Sequence, residues 1–564
     1  MSETRNTIIA IILSTLVLLL WQKIYEKPQA EIKEEAQQNS VESKPDNEIE
    51  LYSDRAEALA VNGPRISIIS DKLSGSMSLK GLKIDDLRLN KYKESVAEDA
   101  PGINLLSPVN TEDSYFIEFG WLSKDQMGLP NQESIWSADK QILGAKDEVN
   151  LTWENEAEVI FGVKISLDNN YMFKIQQSIT NPTAETINII NYGRINRNKD
   201  INQNFYKISH EGFVGAINNS IIEQGYSTLA KAKEPINFKL DKSPNKSWVG
   251  FSDKYWFTAL IPEQNYKINA KLQHKKQGDW DKFQVNFATH NTAIPSGKTQ
   301  VFTSYAFAGP KELGLLDDYK KSLNVALFDH AVDFGYLYFI TKPIFILLRY
   351  FHNLLGNFGL AILLLTVCVK TLMLPLANKG YRSMQHLKKI QPKIKQAHKT
   401  YSKDKMRANQ EIMSLMKKHK VNPLSGCLPV ILQIPIFFAL YKVLFITIEM
   451  RHAPFFGWIK DLSAPDPTNI FNLFGLVPIT LPPFLEIGAW PLILGCTMII
   501  QQKFNPAPQD PTHARIITML PFVLVFVFSS FPAGLIIYWT WSNILSIIQQ
   551  LIITRIINKQ VVNA

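Results

Sequence analysis

Cysteine is nearly missing from this 564-residue chain: Cys368, Cys427 and Cys496 are the only three, and each sits inside a strongly apolar run. Neither a disulfide framework nor a C-x-x-C metal site is available, so structural zinc and thiol redox chemistry are excluded. The long polar segment has no cysteine at all, and its compartment must be read from topology instead. A G-x-x-x-x-G-K-[ST] phosphate loop is also absent, which removes the usual means of coupling work to nucleotide hydrolysis. The apolar runs of the second half contain no Asp or Glu. An ion-coupled transporter usually needs such carboxylates, together with interrupted spans in two related halves, and neither is seen.

What is present is unevenly divided. The length suggests several units at roughly 100 to 200 residues per domain. A mean hydropathy of −0.06 averages a polar first 320 residues with a markedly apolar remainder. The formal charge of +9 is concentrated too. Thirteen Lys or Arg against Asp404 and Glu411 lie between Lys379 and Lys420, so the rest of the chain is close to neutral. A basic loop between two membrane spans marks the cytoplasmic side. Contact with ribosomal RNA or anionic lipid is the second reading of the same charge.

Ile8 to Trp21 is an apolar run after Arg5, followed by Gln22, Lys23, Ile24 and Tyr25 rather than a small-x-small cleavage site. It reads as an uncleaved anchor rather than a removed signal peptide. Glu26 to Glu50 has almost nothing to bury and reads as a disordered tether. From Ile66 to Phe307 the pattern turns to short alternating segments such as Ile66-Ser67-Ile68, Ser76-Met77-Ser78-Leu79 and Tyr171 to Ile175. Period two without βαβ repeats predicts a large antiparallel sandwich. Lys342 to Asn353 places Ile344, Leu347, Leu348 and Phe351 on one helical face, which fits an interfacial amphipathic helix or a helix packed on the β domain. Its position before an apolar run favours the membrane.

Five apolar runs follow, at Phe358–Leu376, Leu428–Ile448, Trp490–Phe504, Ile516–Phe531 and Leu535–Ile553. Each approaches the roughly 20 residues that a bilayer core requires, the third being short. Between the first two, the helical spacing of Met384, Leu387, Ile390, Ile394 and Tyr401, then of Met406, Ile412, Met413 and Met416, predicts a two-helix hairpin. With the anchor there are six spans, both termini are cytoplasmic, and the β domain is periplasmic.

Lys370 is the most informative residue. It stands in the apolar stretch Leu363 to Leu374, where a charge costs about 2.5–3.5 kcal/mol near a span centre. Either something polar faces it or its stem snorkels toward the cytoplasmic boundary. Lys442, nearer the outer end of its span, reads as snorkelling. Gln433 lies between Pro429 and Pro435, while Trp539, Asn543, Ser546 and Gln550 share one helical face. Hydrogen bonding in a dry bundle explains any one of these alone; with a buried cation, the set favours a hydrated groove. His210, His274 and His290 show no carboxylate partner motif and read as ordinary surface or strand residues.

The runs Lys420-Val421-Asn422-Pro423-Leu424-Ser425-Gly426-Cys427-Leu428-Pro429, Gln433 to Phe437, Met450 to Phe455, Trp458 to Ser463, Phe531 to Leu535 and Ser542-Asn543 together resemble the YidC insertase family, collinearly over about 200 residues. The first 330 residues match its long Gram-negative form in layout. The resemblance implies an α-helical polytopic membrane protein with six transmembrane helices and an all-β periplasmic supersandwich domain. The expected layout is an anchor at 1–25, a tether at 26–55, the β domain at 56–320, a linker with the amphipathic helix at 321–356, and a five-helix core at 357–564 that includes the hairpin 380–421. It further implies a groove open to cytoplasm and lipid, lined by Lys370, Thr366, Gln433, Tyr538, Trp539 and Asn543, which receives the polar tail of an incoming protein. The family usually has Arg where this chain has Lys370. No metal, cofactor or covalent reaction is implied. The implied partners are nascent and newly made membrane proteins, the Sec translocon, membrane lipids, and the ribosome through the hairpin and the loop Lys503 to Arg515. The tail after Arg555 holds only one further base, Lys559, so a long basic ribosome-binding tail is not expected. Since the supersandwich resembles carbohydrate epimerases, a sugar-active enzyme is the rival reading, though fold alone is poor evidence for activity.

Overall fold

The computed structural model describes residues 52–562 except 53, 126, 202–208, 233, 241–245, 278–279, 402–403, 420–427, 474–476, 478–485 and 505–510. The anchor Ile8–Trp21, the tether before residue 52, Cys427 and the first eight residues of the Lys420–Pro429 motif therefore lie outside the described residues.

Alternation becomes a two-sheet sandwich. An 11-stranded and a 9-stranded sheet face each other, antiparallel apart from Arg65–Ile69 against Ile142–Gly144. Strands Ile160–Leu167 and Trp280–Thr289 bury every second residue, as a sheet with one dry face must. Two long strands, Met172–Asn181 and Lys298–Pro310, pair along their length at the centre of the smaller sheet. Short helices α1 (Arg55–Val61) and α2 (Tyr226–Leu229) decorate the sandwich, and α3 (Leu313–Ser322) closes it with Leu313, Leu316 and Tyr319 buried at helical spacing. The next segment is drawn into the same core: Phe328, fully buried, packs among Trp248, Phe257 and Phe307 at 5.3–5.8 Å between ring centres.

Among the described residues seven α-helices follow: α4 (Tyr338–Leu355), α5 (Phe358–Thr400), α6 (Lys405–Lys418), α7 (Leu428–Ile446), α8 (Ala489–Phe504), α9 (Pro511–Phe528) and α10 (Ala533–Val562). Gly356, left-handed at φ 68°, ends α4, and the Asn357 side chain caps α5 by accepting from the Leu360 N–H. Among the described residues, Phe358–Ala397 and Ala533–Ile556 are long and apolar enough to cross a bilayer, while Gln433–Ile446 and Ala514–Phe528 are shorter apolar segments.

Three local expectations are revised. The span after Phe358 and the first hairpin arm form one 43-residue helix running through Pro375 and Pro392, because no cap or stop separates them. In the hairpin, Ile390, Ile394, Ala397 and Ile412 make the seam with Leu387, Leu415 and Met416 at its edge; Met406 and Met413 fall on the opposite side of α6, 75% and 53% exposed, and Met384 packs on Ala377, Tyr381 and Ile553 instead. In α4, Thr341, Phe345 and Leu348 face α5 and α7, whereas Phe339, Ile346, Leu347, Tyr350 and Leu354 are exposed, so Leu347 does not share the buried face of Leu348.

The sandwich and the helices meet in a charged joint. Asp329, 1% exposed, accepts from Lys342 of α4 at 2.7 Å and Lys320 of α3 at 2.9 Å, and also from the Tyr338 hydroxyl. Burial opposes its ionisation, but hydrogen bonds from His330, Lys342, Tyr338 and Lys320 outweigh that and hold the carboxyl well below its usual range. Lys442 of α7 does not simply snorkel: it pairs with Asp333 at 3.1 Å, and Asp333 also accepts the His210 backbone N–H at 3.0 Å.

Candidate functional site

Lys370 is twelve residues into α5, about 18 Å along its axis. Its ammonium donates to Ser546 Oγ on α10 at 2.9 Å, and that hydroxyl donates to the Ser542 carbonyl at 2.9 Å. Ser542 and Ser546 are buried, while Lys370 is half-buried. Among the described residues Lys370 makes no salt bridge. Its ammonium is tethered by a neutral hydroxyl rather than by a carboxylate among the described residues.

One turn earlier, Thr366 spends its hydroxyl proton on the Ile362 carbonyl at 2.7 Å and stays buried within the α5 packing. Gln433 of α7 donates its amide to the Tyr538 hydroxyl on α10. Trp539 is wedged between Phe437 and Phe528, with ring centres at 4.9 and 4.7 Å. Asn543 turns toward α8, donating to Thr497 Oγ1 at 3.1 Å.

Helix α10 is thus the hub. Tyr538, Ser542 and Ser546, at successive steps of four, form a polar stripe facing α5 and α7, and Trp539 with Asn543 forms the adjoining stripe. The structure brings Lys370 to Ser546 and Gln433 to Tyr538; it does not bring Thr366 or Asn543 into hydrogen bonding with Lys370. Two contacts escaped the sequence reading: Gln549 donates to Asn378 at 2.7 Å, and Gln385 to Thr554 at 3.0 Å. These continue the α5–α10 polar seam, and the spacing of Lys370, Asn378 and Gln385, two turns apart each time, was its available signal.

With no carboxylate paired to it among the described residues, the Lys370 ammonium can receive a carboxylate or carbonyl oxygen from outside the bundle. No cluster of three or more His, Cys, Asp or Glu capable of holding a metal occurs among the described residues. His274 does have a carboxylate partner, contrary to the sequence reading: Asp281 lies 2.6 Å away across the hairpin Ile268–Gln277/Trp280–Thr289. That pair could not be seen in sequence because only the strand register sets the two side chains side by side.

Three of the sequence motifs, Met450 to Phe455, Trp458 to Ser463 and Phe531 to Leu535, gather beyond the end of α7 that carries Lys442. The Gly534 N–H donates to the Leu462 carbonyl at 3.0 Å and the Ala533 N–H to Ala464 at 2.7 Å, joining the Trp458–Ser463 and Phe531–Leu535 segments. Phe455 lies flat against Gly359, where any side chain on α5 would collide with its ring.

Residues 350–560 match the family model described as 60Kd inner membrane protein, and residues 65–347 match that of the YidC periplasmic domain. The membrane protein insertase YidC of Rickettsia bellii is 45% identical over 558 residues, covering 98% of this chain and 99% of that protein. The corresponding insertase of Rickettsia prowazekii is 44% identical over 559 residues, with the same coverage. A solved structure described as an active YidC insertase with the first transmembrane domain resolved is 17% identical, covers 86% of this chain and 94% of its own, and superposes with a TM-score of 0.35. The 44–45% identity to the Rickettsia insertases over 98% of this chain, with the two family models, places it in the inner membrane with a periplasmic domain and sets aside both the transporter and the sugar-enzyme readings. The chain belongs to the YidC family of membrane protein insertases, which work without enzymatic catalysis.

Proposed function

We propose that insertion proceeds through a hydrophilic groove between α5, α7 and α10, open to cytoplasm and lipid, in which Lys370 attracts the acidic tail of an incoming membrane protein. Thr366, Gln433, Tyr538, Trp539 and Asn543 form its wall, with Lys370, Gln433 and Trp539 the more accessible members. Water in the groove lowers the cost of moving a polar tail part-way across, while the client's apolar segment slides into lipid. The layout behind it is six spans with both termini cytoplasmic: an anchor at 1–25, a tether at 26–55, the periplasmic domain at 56–320, a linker and interfacial helix at 321–356, and the insertase core at 357–564. Nascent membrane proteins are the clients, taken alone or beside the Sec translocon, with the basic hairpin 380–421 and the loop Lys503 to Arg515 toward the ribosome and lipid headgroups.

The observation that carries this reading is an ammonium in an apolar helix, bonded to one serine hydroxyl and paired with no carboxylate among the described residues. Insertion of a small acidic-tailed membrane protein into liposomes containing only this protein, scored by protease protection, tests it. Lys370→Ala is expected to lower protection and Lys370→Arg to retain it. Equal protection by Lys370→Ala and the unsubstituted protein would remove Lys370 from the mechanism.

A further inference from the structure

We propose that Ser546 is the positioning residue for Lys370: its hydroxyl holds the ammonium at its depth in the membrane and thereby sets the preference for clients with acidic tails. The inference rests on the groove reading above and adds a second residue to it.

A lysine stem is long and flexible, and a cation in an apolar span leans toward the nearest water or headgroups. Lys379, the first base of the hairpin segment, is nine residues further along the same helix, about 14 Å away, so the boundary is within reach of a partial lean. Something must oppose it. Ser546 does so with a rotor that is already committed: its proton goes to the Ser542 carbonyl at 2.9 Å, which turns its lone pairs to Lys370 Nζ, also at 2.9 Å. Ser546 is 3% exposed, so its bond anchors the ammonium to the packed face of α10. A hydroxyl suits this position better than a carboxylate would. It accepts one of the three N–H bonds of the ammonium and neutralises nothing, leaving the whole charge for the client's acid. An Asp or Glu here would form an internal ion pair, against which an incoming carboxylate would have to compete.

The test uses the full chain in proteoliposomes and two versions of one client: its acidic tail, and the same tail with Asp and Glu changed to Asn and Gln. The readout is the ratio of protected acidic-tailed to protected neutral-tailed client, which a general folding defect would not move. Ser546→Ala is expected to lower the ratio by about threefold to tenfold, the size of a typical single hydrogen bond. Ser546→Thr, which keeps the hydroxyl, is expected to restore it, and Ser546→Ala in a Lys370→Ala background to lower it no further. A ratio kept by Ser546→Ala but lost in Lys370→Ala would overturn the positioning role while leaving the groove reading intact. A ratio kept in Lys370→Ala would overturn both. A further fall on adding Ser546→Ala to Lys370→Ala would show that the serine acts independently of the lysine, which also overturns the proposal.

Discussion

Residues stand out in sequence when they contradict their surroundings. Lys370 did so, as a charge among leucines and valines, and the structure keeps it away from any described carboxylate. Its partner Ser546 was legible only as one member of a polar face, because a serine in a helix is unremarkable until a neighbouring helix is placed against it. Glu449 escaped notice altogether, having an aqueous loop as its sequence context. It sits in the tight turn after α7 with one carboxylate oxygen buried and unpartnered. Burial pushes this carboxyl up to about 7, with Glu312 adding repulsion. A carboxyl raised in the folded state contributes stability fully below the ordinary glutamate value of about 4.3 and loses that contribution as pH rises through the folded value. Glu449→Gln is therefore expected to raise the melting temperature at pH 8 and to narrow the difference between pH 6 and pH 8, measured on the detergent-solubilised protein. A pH difference as wide as in the unsubstituted protein would assign it to other groups.

At the scale of elements, periodicity was a sound guide to type and a poor one to boundaries. The strand at Arg65–Ile69 buries Ile66 and Ile68 as alternation demands, and the hairpin seam holds Ile390, Ile394 and Ile412 as expected. Helix α5 ran on because Ala, Lys, Gln, Met and Leu after Leu376 all favour helix, and because a membrane helix tolerates Pro375. The methionines of α6 misled for a simpler reason: Met406 and Met413 are seven residues apart and share a face, but Ala408, Ile412 and Leu415 form the face that meets α5. Ile394 is fully buried in that seam. Ile394→Ala should cost the hairpin about 2–4 kcal/mol. Faster hydrogen exchange across Lys405–Lys418, with exchange in the β sandwich unaltered, is the expected result; unchanged exchange in α6 would mean that the seam does not hold the hairpin closed.

On the scale of the whole molecule, the sandwich and the helices are joined by charge as well as by packing. Asp329 gathers Lys320, Lys342 and Tyr338 from both sides of the joint, and Asp333 ties α7 to the backbone of His210. Removing the Asp329 carboxylate leaves two lysines without their shared partner. Lys320 is partly exposed and Lys342 keeps Asp317, so Asp329→Ala is expected to cost only about 1–2 kcal/mol, the size of hydrogen bonds lost to a charged group. Limited proteolysis between Ser322 and Tyr338 should then quicken well before the β domain itself is digested, whereas cleavage at the unsubstituted rate would show that Phe328 and its aromatic neighbours hold the joint alone.

Sequence by itself determined the class of protein, the all-β nature of the first large unit, the apolar helices and the position of the anomalous cation. Each of these depends on local order, through period two, period 3.6, or the cost of a charge in hydrocarbon. Tertiary structure decided which polar residues meet. Lys370 with Ser546, Gln433 with Tyr538, Asn543 with Thr497, and Lys442 with Asp333 are pairs between 46 and 176 residues apart or more widely packed elements, and chain folding alone brings them within hydrogen-bond reach. A hydrogen bond acts over about 3 Å, so its partners become readable only when helix rotation and strand register have been set by packing.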